Sequence, residues 1–70
     1  MKWIRFYLTS GRSLVTARMK DDTLKGFTDI LVEAKNMDFN IIVPFIDPDG
    51  DKNTIWTKYL EGFVVEEDPK

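Results

Sequence analysis

Residues 21–36, DDTLKGFTDILVEAKN, decide the fold of this chain. Large apolar residues recur here at intervals of three and four, as along one stripe of an amphipathic helix. Asp21, Asp22 and Thr23 supply cap-type oxygens and negative charge at the amino end, where the free N–H groups and the helix dipole favour both. Asn36 predicts the end of the helix. The expected apolar stripe consists of Leu24, Phe27, Ile30, Leu31 and Ala34.

The segments on either side of this helix have the patterns of strands. Residues 2–8 alternate two sets of side chains and are rich in β-branched and aromatic residues, which predicts a strand. Gly11 suits a tight reversal, so residues 2–19 are predicted to form a β-hairpin. Residues 39–46 are apolar at nearly every position, which predicts a strand covered on both faces. Pro44 within that run predicts an edge position or a bulge. Further short strands are expected at 54–57 and 62–65.

These elements together predict an α+β fold of order β-β-α-β-β-β. The antiparallel sheet would have four to five strands, with the amphipathic helix between strands 2 and 3. An SH3-like small barrel with a helical insertion is the alternative. Residues 1–66 are expected to form a single domain and residues 67–70 a flexible acidic tail. The helix is expected to pack on Ile4, Phe6, Leu8, Val15 and Ile41 or Val43.

Length and composition narrow the classes of function. The chain has 70 residues with no cysteine and no histidine, which excludes disulfides, thiolate zinc sites and the commonest general base. No serine, threonine or carboxylate has an organised catalytic partner, so we expect a protein that is not an enzyme and needs no cofactor. No apolar run approaches the roughly 20 residues that span a bilayer. We therefore expect a soluble cytoplasmic protein with no membrane partner.

Charge is distributed unevenly along the chain. The first twenty residues contain five basic side chains and no acidic one, whereas residues 21–70 contain all twelve acids. The net charge of −2 therefore hides a positive amino-terminal end and a negative remainder, which attract different partners.

A surplus of large apolar groups predicts an interaction surface. One helix covers one face of a small sheet, so the opposite face would leave aromatic side chains exposed, as in protein interfaces. We therefore expect a small interaction module that acts through protein–protein contacts, self-associating as a homodimer or binding another protein. The expected surface consists of Trp3, Arg5, Tyr7, Arg18 and Trp56.

The same hairpin supports an alternative function, binding of single-stranded nucleic acid. Bases stack on aromatic rings while cations follow the phosphates, and Trp3 and Tyr7 would supply the rings. The expected phosphate contacts are Arg5, Arg12, Arg18 and Lys20.

One loop has the spacing of a calcium site. Oxygen-bearing side chains at alternate positions can converge on Ca²⁺, and the candidate ligands are Asp47, Asp49, Asp51 and Asn53. The calcium-loop pattern fails further on, because Lys52 stands where glycine is expected and Lys58 where glutamate is expected. A solvated turn is the preferred interpretation, and no metal is predicted.

Phe6-Tyr7-Leu8, Ser10-Gly11 and Leu60 give the chain a resemblance to small bacterial, phage and mobile-element proteins of hairpin–helix–hairpin type. The ending, strand–tight turn–strand, is also similar to that of SH3-like and Sm-like barrels. The helix departs from the Sm order, in which it comes first. Neither resemblance implies a site or an activity.

Overall fold

The computed structural model describes residues 1–69. Five strands, one α-helix and one 3₁₀ turn follow one another along the chain, and their order confirms the predicted α+β class and the β-β-α-β-β-β arrangement. They are β1 (Lys2–Leu8), β2 (Ser13–Val15), α1 (Asp21–Asn36), β3 (Ile42–Ile46), β4 (Lys52–Trp56), the 3₁₀ turn (Thr57–Tyr59) and β5 (Leu60–Glu67).

The strands form two antiparallel sheets rather than one. The first has the order β2-β1-β5 and the second contains β3 and β4. The backbone N–H of Ala17 donates to the carbonyl of Ile46 at 2.7 Å and joins the sheets at one corner. Within residues 1–69, β4 and β5 each have a single ladder partner, so hydrogen-bonded strands do not close a barrel.

The opening hairpin is shorter than predicted because Thr16 interrupts its second strand. β2 ends at Val15, and one isolated bridge between Lys2 and Met19 resumes the pairing. The Thr16 hydroxyl is buried, accepts a hydrogen bond from the N–H of Ile4 at 3.1 Å and donates to the carbonyl of Ala17 at 2.9 Å. A side chain thus replaces a backbone ladder bond, next to the residue that reaches the second sheet.

The helix buries most of its predicted stripe. Leu24, Leu31 and Ala34 are buried and Phe27 packs against the core. The prediction for Ile30 is wrong, because its side chain is 51 % exposed. Successive helical residues are separated by about 100°, which moves Ile30 off the line through Leu24 and Leu31.

The core lies between the two sheets and the helix. The rings of Phe6 and Phe45 meet across it at 5.3 Å between centroids, tilted by 58°. Val15 does not join the core as expected, because it lies opposite Arg5, on the outer face of β1. The core residues are Ile4, Phe6, Leu24, Leu31, Val43, Phe45, Ile55 and Leu60.

The apolar run of β3 is covered on one face, and the prediction of two covered faces is wrong. Val43 and Phe45 are buried, whereas Ile42 and Ile46 are exposed. The carbonyl of Ile46 points toward Ala17, away from β4. The backbone N–H and C=O groups of successive residues point to opposite edges of a strand, so the backbone of Pro44 also points away from β4. The N–H that proline lacks therefore costs β3 no ladder bond to β4.

The segment predicted as a tail contributes to the fold over its described part. Glu67 pairs with Lys2, so β5 runs one residue past the predicted boundary at 66. Lys70, the last residue of that segment, lies outside the described residues. No helix in the described chain is long and apolar enough to cross a membrane.

Candidate interaction surfaces

The predicted interaction surface is divided between the two sheets. Trp3, Arg5 and Tyr7 alternate with the buried Ile4 and Phe6, so they lie on the outer face of the first sheet. The prediction that Trp56 shares this face is wrong, because it belongs to β4 in the second sheet. We call Trp3, Arg5, Tyr7 and Arg18 the β1 face, and Leu14, Trp56, Lys58 and Tyr59 the Trp56 surface.

Glu66 on β5 holds the centre of the β1 face. It lies directly opposite Trp3 in the ladder. Its Oε1 atom accepts hydrogen bonds from Trp3 Nε1 at 2.8 Å and from Arg5 Nε at 3.0 Å. One carboxylate therefore satisfies both the indole N–H and the guanidinium.

Arg18 covers the face of the Trp3 ring and is itself fixed by the end of the chain. Its guanidinium carbon lies 5.1 Å from the ring centroid, within range of a cation–π interaction. Two guanidinium nitrogens donate to the carboxylate of Asp68 at 3.0 and 2.7 Å. This hydrogen-bonded pair lowers the pKa of Asp68 and raises the pKa of Arg18. The closing segment, residues 60–68, therefore holds Trp3 in two ways: Glu66 binds the indole N–H, and Asp68 fixes the Arg18 that covers the ring.

Acidic residues neutralise much of the basic amino-terminal end. The ammonium of Lys2 lies 3.7 Å from a carboxylate oxygen of Asp21. Arg5 and Arg18 form ion pairs with Glu66 and Asp68 of the closing segment. Among the described residues, Arg12 and Lys20 make no ion pair. The guanidiniums nearest to Trp3 are therefore already occupied, and an added phosphate would have to compete with carboxylates for them.

The Trp56 surface is exposed and, within residues 1–69, lacks carboxylate contacts like those of the β1 face. Trp56 and Tyr59 are both exposed, with ring centroids 6.3 Å apart and planes inclined by 30°. The ammonium of Lys58 lies 4.5 Å from the Trp56 centroid and 4.9 Å from that of Tyr59. Lys58 therefore holds the two rings together at the rim of the surface.

A groove of about 330 Å³ runs beside these rings. The exposed Leu14 brings β2 to its edge. Such an apolar wall with aromatic rings and a cationic rim suits the side chains of another protein. The sequence interpretation did not include Leu14 or Tyr59 in the interaction surface. Tyr59 could have been recognised, because it is an aromatic residue only three positions after Trp56. The groove is lined by Leu8, Leu14, Thr54, Ile55, Trp56 and Tyr59, with Lys58.

The calcium candidates form a turn that is closed by its own hydrogen bonds. Asp47 Oδ1 accepts from the backbone N–H groups of Asp49 and Asp51 at 3.0 and 2.9 Å. Its Oδ2 accepts from the side-chain amide of Asn53 at 2.7 Å. The turn also depends on Gly50, whose φ is +89°. In the part of the chain that is described, no three acidic side chains gather as metal ligands.

Comparison with known proteins assigns no function to either surface. No protein family, no curated protein and no solved structure matches the chain. Function is therefore inferred from the geometry of the two surfaces.

Proposed function

We propose that the protein is a small non-catalytic interaction module that acts through protein–protein contacts and forms a homodimer. The observation that carries the proposal is the Trp56 surface, where two exposed aromatic rings and an exposed leucine border one groove. Aromatic residues are enriched in the cores and energetic centres of protein interfaces. The lack of cysteine suits a reducing compartment, and we propose the cytoplasm.

The size of the chain supports a second copy as the partner. A domain of this length buries a smaller fraction of its surface on folding than a larger domain does, and oligomerisation adds stability. The described residues expose 5098 Å², and a standard interface covers about 800 Å² of each partner. The dimer would therefore need about one sixth of the surface, which is an ordinary requirement for a symmetric pair.

The β1 face gives weaker support than the Trp56 surface. Its indole N–H and two of its guanidiniums already have partners within the chain. A protein docking there would displace or cover the closing segment. The dimer contact is therefore assigned to the second sheet, where Trp56 lacks such partners among the described residues.

Sedimentation equilibrium tests this assignment with two matched variants. Trp56 and Tyr7 are each 43 % exposed and lie on outer faces of different sheets. We expect the unaltered protein to approach twice its 8.2 kDa mass as concentration rises. Trp56→Ser should shift the protein to monomer, and Tyr7→Ser should leave the dimer intact. A monomeric unaltered protein at every concentration would refute the proposal, and a monomer from Tyr7→Ser alone would move the contact to the β1 face.

Binding of single-stranded nucleic acid is the second candidate, and Arg12 and Lys20 favour it because neither has an ion-pair partner among the described residues. The other two cations that it requires, Arg5 and Arg18, would have to leave their carboxylates. Tryptophan fluorescence titrated with an oligonucleotide at two salt concentrations distinguishes the candidates. Quenching that weakens steeply with salt would support nucleic acid, because phosphate contacts release counterions. Quenching that is absent or insensitive to salt would count against it.

A further inference from the structure

The outer edge of β4 carries backbone groups that no strand in residues 1–69 pairs with. The N–H of Thr57, just after β4, donates to the carbonyl of Ile41, just before β3, at 3.0 Å. The backbone N–H and C=O groups of odd-numbered residues in β3 and β4 therefore point toward each other. The carbonyl of Ile46 points the opposite way, toward Ala17. Because backbone directions alternate, the N–H and C=O groups of the even-numbered residues in β4 face the free edge. Those residues are Lys52, Thr54 and Trp56.

A second feature points to this edge as a docking position. The groove of the Trp56 surface is bordered by Thr54, Ile55 and Trp56, so it runs along the same edge. Its far wall includes Leu14 of β2. An incoming extended strand would find unpaired backbone groups on one side and apolar side chains below, the combination used in β-strand addition.

We propose that β4 pairs antiparallel with β4 of a second copy, with Thr54 on the two-fold axis. The dimer then contains a continuous sheet of β3, β4 and the same two strands of the partner. Thr54 lies opposite the partner's Thr54, and Lys52 lies opposite the partner's Trp56. This inference rests on the proposed homodimer and specifies its contact.

The register follows from the backbone and from charge. With the two-fold axis at Thr54, all three edge-facing residues lie opposite edge-facing residues of the partner, and about six hydrogen bonds form. With the axis at a neighbouring residue, two edge-facing residues do so, and about four hydrogen bonds form. An axis at Lys52 would instead place two lysine side chains directly opposite each other, which destabilises a pair. β4 contains no proline, so each of its edge-facing residues keeps its N–H donor.

The other sheet edges are less suited to self-pairing. Pro44 removes a donor from the outer edge of β3. In β5, an antiparallel pair centred on Val64 would place Glu61 opposite the partner's Glu67, and like charges directly opposite destabilise a pair. Neither obstacle applies to β4 in the proposed register, since it has no proline and no pair of like charges directly opposite.

Single cysteines test the register directly, because the chain contains none of its own. In the proposed pair the two Cα atoms at position 54 are about 5.5 Å apart, within the range that a disulfide bridges. The two at position 52 are about 13 Å apart along the strands, beyond that range. Thr54→Cys should therefore form a covalent dimer under mild oxidation or with a short thiol cross-linker. Lys52→Cys, on the same strand and equally free of the core, should remain largely monomeric on a non-reducing gel.

Sedimentation of the unaltered protein separates the two possible failures. If it dimerises but Thr54→Cys cross-links no better than Lys52→Cys, the β4 pairing is wrong and the homodimer stands. If it is monomeric, both proposals are wrong. Thr54→Pro provides an independent variant, since it removes an edge donor without touching the ladder to β3. It should weaken the dimer by about tenfold or more with an unchanged far-UV circular dichroism spectrum, and an unchanged dissociation constant would contradict the pairing.

Discussion

Replacing Glu66 should destabilise the protein far more than its place near the end of the chain implies. Its carboxylate accepts hydrogen bonds from both Trp3 and Arg5. Glu66→Ala leaves the indole N–H and the guanidinium without this acceptor, while the backbone pairing of β5 is untouched.

The magnitude follows from those two hydrogen bonds and their exposure. A hydrogen bond to a charged group contributes roughly 1.5–3 kcal/mol when it is well buried. The side chains of Arg5 and Glu66 are each 34 % exposed, so solvent screening reduces the contribution. We expect Glu66→Ala to lower the free energy of unfolding by about 2 kcal/mol, against a total of roughly 4–10 kcal/mol for a chain of this size. The melting temperature should fall by roughly 8–16 °C.

Denaturant unfolding followed by tryptophan fluorescence measures this change, and Glu67→Ala provides the matched control. Glu67 is the next residue of the same strand and forms no ion pair within the described chain. Its replacement should change the free energy of unfolding by no more than about 0.5 kcal/mol. A double-mutant cycle with Arg5→Met should give a coupling energy of about 1 kcal/mol.

Equal stabilities of Glu66→Ala and Glu67→Ala would refute the reasoning. The contact of Glu66 with Trp3 and Arg5 would then contribute nothing to stability, and Arg5 would be available to an outside ligand. That result would favour the proposal that this face binds single-stranded nucleic acid.

Four further substitutions test other parts of the structure. Phe6→Ala should lower the free energy of unfolding by about 3–5 kcal/mol, because the buried ring leaves a cavity; near-native stability in urea would contradict this. Gly26→Ala should raise stability by up to about 1 kcal/mol, since Gly26 is inside the helix and an added Cβ meets nothing within 4 Å, while Gly50→Ala should lower it, because its φ is +89°. The Asp68 pKa is lowered in the folded protein by its hydrogen bond to Arg18, so its contribution to stability is present above the unfolded pKa and is lost as pH falls through the folded pKa. Asp68→Asn should remove that part of the acid sensitivity, and a carboxyl titration followed by NMR with no lowered pKa at Asp68 would contradict it.

The local patterns of the sequence predicted the elements and their order. The change from alternation to a period of three and four residues identified the helix at 21–36, and it lies there. Ile30 shows the limit of the pattern, because an apolar residue beside the stripe satisfies the same spacing and its exposure depends on what the helix meets.

The candidate site depended on contacts that local patterns do not contain. The apolar run of residues 39–46 predicted a strand covered on both faces. Buried and exposed side chains alternate along β3 instead, because the second sheet has a core on one side only. The pairing of Arg18 with Asp68 joins residues fifty positions apart. The sequence shows that both charges exist, but it does not show which of the twelve acids each cation meets.

The sequence by itself determined the class of fold, the position of the helix, the two glycine-dependent reversals and the uneven charge. Each of these depends on side-chain periodicity or on backbone preferences within a few neighbouring residues. The tertiary structure decided that the strands separate into two sheets, that Glu66 and Arg18 hold Trp3, and that Trp56 and the edge of β4 face outward together. These depend on which distant segments come into contact, and that is set by the packing of the whole chain around its core.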